Sequence, residues 1–182
     1  MKCRAFAALL SALLVAGCTA PSDGSQNVFT VQRGVTQGGP ASTVDVVDIG
    51  LPLLHNMTAR TVTLRWVRLA GHYKGMRILS VTAYKYSQVG EGIAAGLGDL
   101  RKHCREQMTS YPVAGDATPP YKDSNWLIII AMTFSKPGRY NFKRAEIGYR
   151  TNGQDGWQYQ NLDITVNVHK AKPGTKPVLV GC

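Results

Sequence analysis

Residues 157–169 read WQYQNLDITVNVH, and apolar and polar side chains alternate along this stretch. Every second residue of an extended chain points to the same side, so Leu162, Ile164, Val166 and Val168 share one face. Alternation of this kind is typical of a β-strand that buries one face and exposes the other. The stretch therefore predicts a sheet that packs against a core on one side.

Six other stretches hold short apolar runs bounded by turn residues, and together with the first they predict about seven strands: 28–32, 43–54, 61–70, 76–87, 126–135 and 139–150. Gly50 and Pro52 predict a bulge or an edge position within the second stretch. The alternation in the third stretch changes phase near Trp66, a residue that is compatible with a core tryptophan.

Turn signals recur at short intervals along the whole chain, and Asn152-Gly153 and Asp155-Gly156 are hairpin signals. Many short strands with little helix indicate an all-β fold. The most economical architecture is an antiparallel β-sandwich of immunoglobulin-like type.

Residues 88–125 interrupt this pattern with glycines and prolines, and within them residues 99–108 predict a short helix. Long loops on a rigid scaffold often carry recognition residues, and aromatic side chains favour interfaces. We therefore regard this connection as a candidate binding loop with Tyr111, Tyr121 and Trp126. The alternative is a structural cap with Tyr111 and Trp126 packed inward.

The N-terminus indicates export. Lys2 and Arg4 precede an apolar stretch that is too short to span a bilayer, for which about 20 residues are needed. The segment Leu14-Val15-Ala16-Gly17-Cys18 resembles the lipobox of bacterial lipoprotein signal peptides. The resemblance implies a signal peptide at 1–17, a lipid anchor on Cys18, and a position on the extracytoplasmic face of the bacterial cell membrane. An ordinary signal peptide with a coincidental cysteine is the alternative.

The residues that follow Cys18 are small and polar, which predicts a flexible tether at 18–27 and a single domain at 28–182. With Cys3 removed and Cys18 lipidated, Cys104 and Cys182 remain. An even pair in an exported protein predicts a disulfide between them. A reactive thiol or a metal ligand is the alternative.

The chain has 182 residues with 44% hydrophobic and 18% charged side chains, which suits one globular domain. It carries 21 basic and 11 acidic side chains, a formal charge of +10, and removal of Lys2 and Arg4 with the signal leaves +8. A nucleic-acid partner is disfavoured by export and by the scatter of the basic residues over the strands. Attraction to anionic lipid headgroups or wall polymers remains, beside a merely solvated basic surface.

No arrangement of residues predicts an enzyme or a bound cofactor. A G-x-S-x-G nucleophile elbow is absent from the sequence, and Asp45 and Asp48 are interpreted as a solvated edge. His103, Cys104 and Met108 invite a copper or redox function as the alternative, because His, Cys and Met ligate copper. Their order along the chain does not match that of the cupredoxins.

A second resemblance covers residues 43–168. Residues 53–56, 61–69, 137–140 and 147–149 look like the motifs of a broad group of uncharacterised bacterial secreted proteins with an immunoglobulin-like domain. That resemblance implies a fold and no activity. The sequence as a whole predicts a lipid-anchored extracytoplasmic binding or interaction module of the bacterial envelope, with an envelope protein or polymer as a further partner.

Overall fold

The computed structural model describes residues 27–30, 36–85, 95–97, 110–115, 118, 120 and 125–178. Within them the fold is all-β, without helix. The strands are β1 Thr36–Ser42, β2 Val46–Gly50, β3 Leu54–His55, β4 Val62–Leu69, β5 Met76–Lys85, β6 Ala95–Leu97, β7 Ser110–Pro112, β8 Asn125–Phe134, β9 Gly138–Thr151 and β10 Gln154–His169. The predicted short helix at 99–108 lies outside the described residues.

One sheet has four strands in the order β1-β10-β9-β4. The long strands β9 and β10 form a hairpin whose turn residues Asn152 and Gly153 have φ values of 50° and 74°. Two successive left-handed residues make a type I′ turn, whose twist suits a hairpin. At one edge β1 runs parallel to β10 and includes Pro40, a residue without an N–H group to donate.

The second sheet follows the order β6-β2-β8-β5-β7, and β3 also pairs with β8. Strand β8 reads NWLIIIAMTF and lies at the centre of this sheet. Its residues on both faces are buried, with Ile128 and Ile130 on one face and Leu127 and Ile129 on the other. An unbroken apolar run is the sequence of a strand that is covered on both faces, as the sequence predicts for this segment.

The inward faces of the two sheets contribute to one hydrophobic cluster. The four-stranded sheet supplies Leu64, Ile147 and Ile164, and the other sheet supplies Ile49 and Met132, all nearly inaccessible to solvent. Burying apolar surface is the main stabilising term for such a domain, at about 25 cal/mol per Å².

The sequence-based strands at 61–70, 76–87, 126–135, 139–150 and 157–169 correspond to β4, β5, β8, β9 and β10. Two expectations need correction. The stretch 43–54 is not one bulged strand, because it is interrupted at Leu51–Leu53 and resumes as the short β3. The pair Asp155-Gly156 is not a turn and lies inside β10.

The predicted first strand at 28–32 is reduced, among the described residues 27–30, to one bridge between Phe29 and Asn56. Residues 31 and 32 lie outside the description.

Candidate functional site

A bulge in β4 brings Trp66 to the outer face of the four-stranded sheet. The pairing of β4 with β9 shifts between Leu64 and Trp66, and both Leu64 and Val67 are buried. Two residues therefore separate successive inward side chains, so Arg65 and Trp66 point outward together. The change of phase predicted near Trp66 is confirmed, but its interpretation as a core tryptophan is wrong.

Gly148 on β9 provides the surface on which the Trp66 ring lies. Gly148 pairs with Trp66 on one side and with Trp157 of β10 on the other. A Cβ atom at position 148 would overlap three ring atoms of Trp66, namely Cε2, Nε1 and Cδ2. The indole thus occupies the space that any side chain at this position would need.

Trp157 and Tyr159 extend this outer surface along β10. Their exposed fractions are 38% and 39%, and their rings meet edge to face with centroids 4.9 Å apart. Because the two rings touch, they form a contiguous exposed aromatic patch, which is more informative than a single exposed apolar residue. We call Trp66, Trp157 and Tyr159, on the outer side of the four-stranded sheet, the aromatic face.

Two guanidinium groups lie over rings of the aromatic face. The Arg68 guanidinium carbon is 4.7 Å from the Trp66 ring centre, and that of Arg144 is 5.5 Å from the Tyr159 ring centre. Both distances fall within the range of cation–π attraction. An arginine held by its planar face leaves its N–H edges available to carboxylates or phosphates.

The acidic side chains of this surface are paired with its cations. Glu146 accepts a hydrogen bond from Arg68, Asp163 accepts one from Lys143 over 2.6 Å, and Asp155 accepts two from Arg150 over 2.9 and 3.0 Å. The hydrogen bond from Arg150 holds the pKa of Asp155 below its ordinary value. Arg139 and Arg144 form no ion pair within the part of the chain that the structure describes.

The inward side of the same stretch of β10 binds residues 27–30. The side-chain amide of Gln158 accepts a hydrogen bond from the Phe29 N–H over 3.0 Å and donates to the Phe29 carbonyl over 2.8 Å. Gln160 Nε2 donates to the Thr30 carbonyl over 2.9 Å. These two buried side chains bond the N-terminal segment 27–30 as a neighbouring strand would, and they alternate with Trp157 and Tyr159 along the strand.

Two of the three aromatic residues of the predicted binding loop contact each other. The rings of Tyr111 and Trp126 pack edge to face at 5.5 Å, with Trp126 only 3% exposed and Tyr111 partly buried. Tyr121 lies outside the described residues. The recognition role of this loop stays a prediction.

The other predicted site residues also lie outside the described part of the chain: Cys18, His103, Cys104, Met108 and Cys182. Lipidation, the Cys104–Cys182 disulfide and the copper or redox alternative therefore stay predictions. Among the described residues no group of three or more His, Cys, Asp or Glu side chains could hold a metal ion. No helix in the same residues is long and apolar enough to cross a membrane.

The interpretation of Asp45 and Asp48 as a solvated edge is wrong, because they are only 3% and 1% exposed. Asp45 accepts hydrogen bonds from the backbone N–H of Ser42 over 2.6 Å and of Val178 over 3.0 Å. Burial alone raises the pKa of a carboxyl, but the N–H donors at Val178 and Ser42 outweigh it and hold the pKa of Asp45 below its ordinary value. Asp45 therefore connects the β1–β2 turn to the C-terminal tail.

Sequence reasoning missed the aromatic face. The available signal was the pair Trp157 and Tyr159 on the polar face of an alternating strand, where apolar rings are not needed for the core. Arg144 could not be placed beside Tyr159, because that proximity depends on the register of β9 against β10.

No protein-family model matches the sequence, and no curated protein matches it. Among solved structures, the chain is similar to the VesB protease of Vibrio cholerae, with a TM-score of 0.38 and 10% sequence identity over 79% of this chain and 33% of that chain. The chain thus spans about a third of the length of that protease. A likeness of this size carries no argument about fold or activity.

Proposed function

We propose that this chain is a lipid-anchored, non-enzymatic binding module on the extracytoplasmic face of the bacterial cell envelope, and that it binds through the aromatic face. The observation that carries the proposal is the exposure of Trp157 and Tyr159 beside Arg144 on the outer side of a sheet whose other side is core. Aromatic and arginine side chains together are the usual composition of binding surfaces.

The anchoring part of the proposal is supported by the sequence. Lys2, Arg4, the apolar stretch and the lipobox-like residues 14–18 form a lipoprotein signal, and a polar tether follows. Two acyl groups give stable anchoring where one is marginal, which is why a lipidated N-terminal cysteine suffices to hold a domain at a membrane.

We infer that the scaffold is an immunoglobulin-like β-sandwich. Side chains from both sheets share one hydrophobic cluster, and the antiparallel pairs β9–β10, β4–β9, β5–β8 and β2–β8 dominate the pairing. Packed antiparallel sheets of this kind position binding residues on a rigid surface.

Site-specific photo-crosslinking tests the proposed surface. The protein is produced in its native membrane with a photoreactive amino acid at Tyr159, and in a matched control at Ile78, which is 36% exposed on the other sheet. We expect reproducible adducts to an envelope component from position 159 and none from position 78. Equal adducts from both positions, or none from either, would contradict the proposal.

A further inference from the structure

The outer side of the four-stranded sheet combines exposed aromatic rings with excess positive charge. Trp157 and Tyr159 project from β10 directly opposite the Gln158 and Gln160 side chains that bind residues 27–30. Alternation along β10 thus places residues 27–30 and the aromatic rings at the same level of the strand, on opposite faces of the sheet. An anchor on the N-terminal side of residue 27 therefore keeps the aromatic face within reach of the bilayer, although the two lie on opposite sides of the sheet.

We propose that the aromatic face docks on the anionic phospholipid surface of the membrane that carries the anchor. This inference rests on the proposed lipid anchor at Cys18. The residues from Cys18 to Asn27 span at most about 30 Å when fully extended. A tether of this length keeps the domain at a high effective concentration over the bilayer, so a weak surface affinity is enough to orient it.

The charge of the face is complementary to anionic headgroups. The carboxylates of Glu146, Asp155 and Asp163 are each paired with a cation, while Arg144, which lies over Tyr159, forms no ion pair within the described residues. Basic side chains near a membrane surface are attracted by anionic lipids within about a Debye length, which is roughly 8 Å at physiological salt. The uncompensated guanidinium of Arg144 is therefore placed beside the exposed rings, where a lipid phosphate would meet it.

The aromatic rings suit the interface between headgroups and acyl chains. Tryptophan and tyrosine have an apolar body and a polar tip, and both are enriched at membrane–water interfaces. The guanidinium of Arg144 over Tyr159 keeps its N–H edges free for a phosphate while its plane packs on the ring.

Stacking of sugar rings is less well served by this geometry. A sugar stacks on an open aromatic face, whereas Trp66 and Tyr159 each have a guanidinium over the ring, and Trp157 and Tyr159 pack edge to face. The observations thus favour a phospholipid surface over a neutral or anionic glycan.

Vesicle binding of the mature full-length chain carrying Cys18→Ser, which has no lipid of its own, tests the inference. We expect it to sediment with vesicles of phosphatidylglycerol and phosphatidylcholine, and not with phosphatidylcholine alone. Arg144→Gln should weaken binding about five-fold, and salt should weaken it further. Arg77→Gln, which removes the same charge from the exposed start of β5, should leave binding unchanged.

The rings are tested with Trp157→Ala plus Tyr159→Ala, compared with Ile78→Ala, and thermal unfolding verifies that each variant is folded. Loss of binding in the first variant and retention in the second supports the inference. The inference is overturned if the protein does not bind anionic vesicles, or if the Arg144 and Arg77 substitutions weaken binding equally. It is also overturned if the protein binds polygalacturonate, an anionic glycan, in place of lipid, or if the rings mediate self-association. If vesicle binding fails while Tyr159 still crosslinks to a protein or polymer in native membranes, this inference falls and the proposed function stands.

Discussion

At the scale of single residues, Gly148 decides whether the aromatic face can form. Its φ is not in the left-handed region, so the backbone itself would accept a side chain. The restriction comes from Trp66, whose ring occupies the space above the Gly148 Cα. Glycine is required at position 148 because the Trp66 ring packs directly against the backbone there, where any side chain would overlap it.

Gly148→Ala is therefore expected to displace the Trp66 ring and to lower the free energy of unfolding by roughly 1–3 kcal/mol, the usual cost of overpacking. Chemical denaturation and tryptophan fluorescence would measure both effects. Gly39→Ala is the matched control, since Gly39 has no heavy atom within 4 Å of a Cβ placed there. In the Trp66→Ala background the cost of Gly148→Ala should disappear, and an undiminished cost there would contradict the assignment.

Asp45 contributes to the free energy of unfolding in a way that depends on pH, and the lowered pKa of its carboxyl fixes the sign. Its pKa in the folded state is lowered below that of the unfolded chain, which is about 4. A pKa lowered by folding stabilises the folded state above the unfolded value, and this contribution is lost as the pH falls through the folded-state pKa.

Asp45→Asn should lower the free energy of unfolding at pH 7 by about 1–3 kcal/mol, because the amide N–H₂ then faces the N–H of Ser42 or Val178. The difference in unfolding free energy between the variant and the unsubstituted protein should become smaller below pH 4. Denaturation curves at pH 7 and below pH 4 would show this. Asp163→Asn, an exposed ion-pair partner, should change stability by less than about 1 kcal/mol at either pH. A difference that is the same at both pH values would refute this account.

At the scale of elements, β10 does two tasks with alternate residues. Its inward amides bond residues 27–30, and its outward rings form the aromatic face. The amide of Gln158 makes both hydrogen bonds that a paired strand residue would make with Phe29. The N-terminal segment is thus attached to β10 by side chains, whereas backbone hydrogen bonds join it to residues 55–57.

Gln158→Ala should loosen this segment from β10, because it removes the two buried hydrogen bonds between the Gln158 amide and the Phe29 backbone. Hydrogen–deuterium exchange at the Phe29 amide should become faster, with a loss of about 1–3 kcal/mol in unfolding free energy. Gln154→Ala, at the exposed start of the same strand, serves as the control. Unaltered protection of Phe29 in the Gln158 variant would show that other contacts hold the segment.

Alternation of apolar and polar residues was sufficient to predict β4, β5, β9 and β10, and an unbroken apolar run to predict β8, because each strand buries apolar side chains in the core. It could not predict β1, whose sequence TQGGPAS has no such row and is a strand only through its pairing with β10. The hairpin turn at Asn152-Gly153 was predictable because these residue types favour positive φ. The same reasoning wrongly predicted a turn at Asp155-Gly156, which lies inside β10. Gly156 is needed instead for close packing, since a Cβ there would lie 2.8 Å from the Tyr149 ring.

The candidate site was less predictable than the fold for a physical reason. Side chains on the outer face do not pack in the core, so the alternation of apolar and polar residues does not predict which of them lie next to each other. Arg68 and Trp66 are close in sequence, but Arg144 and Tyr159 meet only through the strand register. Register across a bulge depends on the packing of the whole sheet.

At the scale of the whole molecule, anchoring and oxidation state are tested together by intact mass. Protein from its native membrane is alkylated with and without prior reduction. We expect a mass increase from lipid at Cys18, and alkylation of Cys104 and Cys182 only after reduction. Closing so long a loop stabilises a domain by about 4–5 kcal/mol in the chain-entropy treatment, so Cys104→Ser should lower the melting temperature.

Free alkylation of Cys104 in the unreduced protein would exclude the disulfide. Copper binding and thiol chemistry at His103, Cys104 and Met108 would then be the next functions to test.

The two edge strands of the four-stranded sheet, β1 and β4, affect whether neighbouring copies can aggregate by strand addition. On one border β1 contains Pro40, and on the other β4 is distorted by its bulge before Trp66. Regular hydrogen-bonded extension by the strand of another copy is disfavoured at both. On the proposed lipid anchor, copies of this domain would diffuse in two dimensions and collide often. With such borders, neighbouring copies are not expected to polymerise by adding strands to the four-stranded sheet.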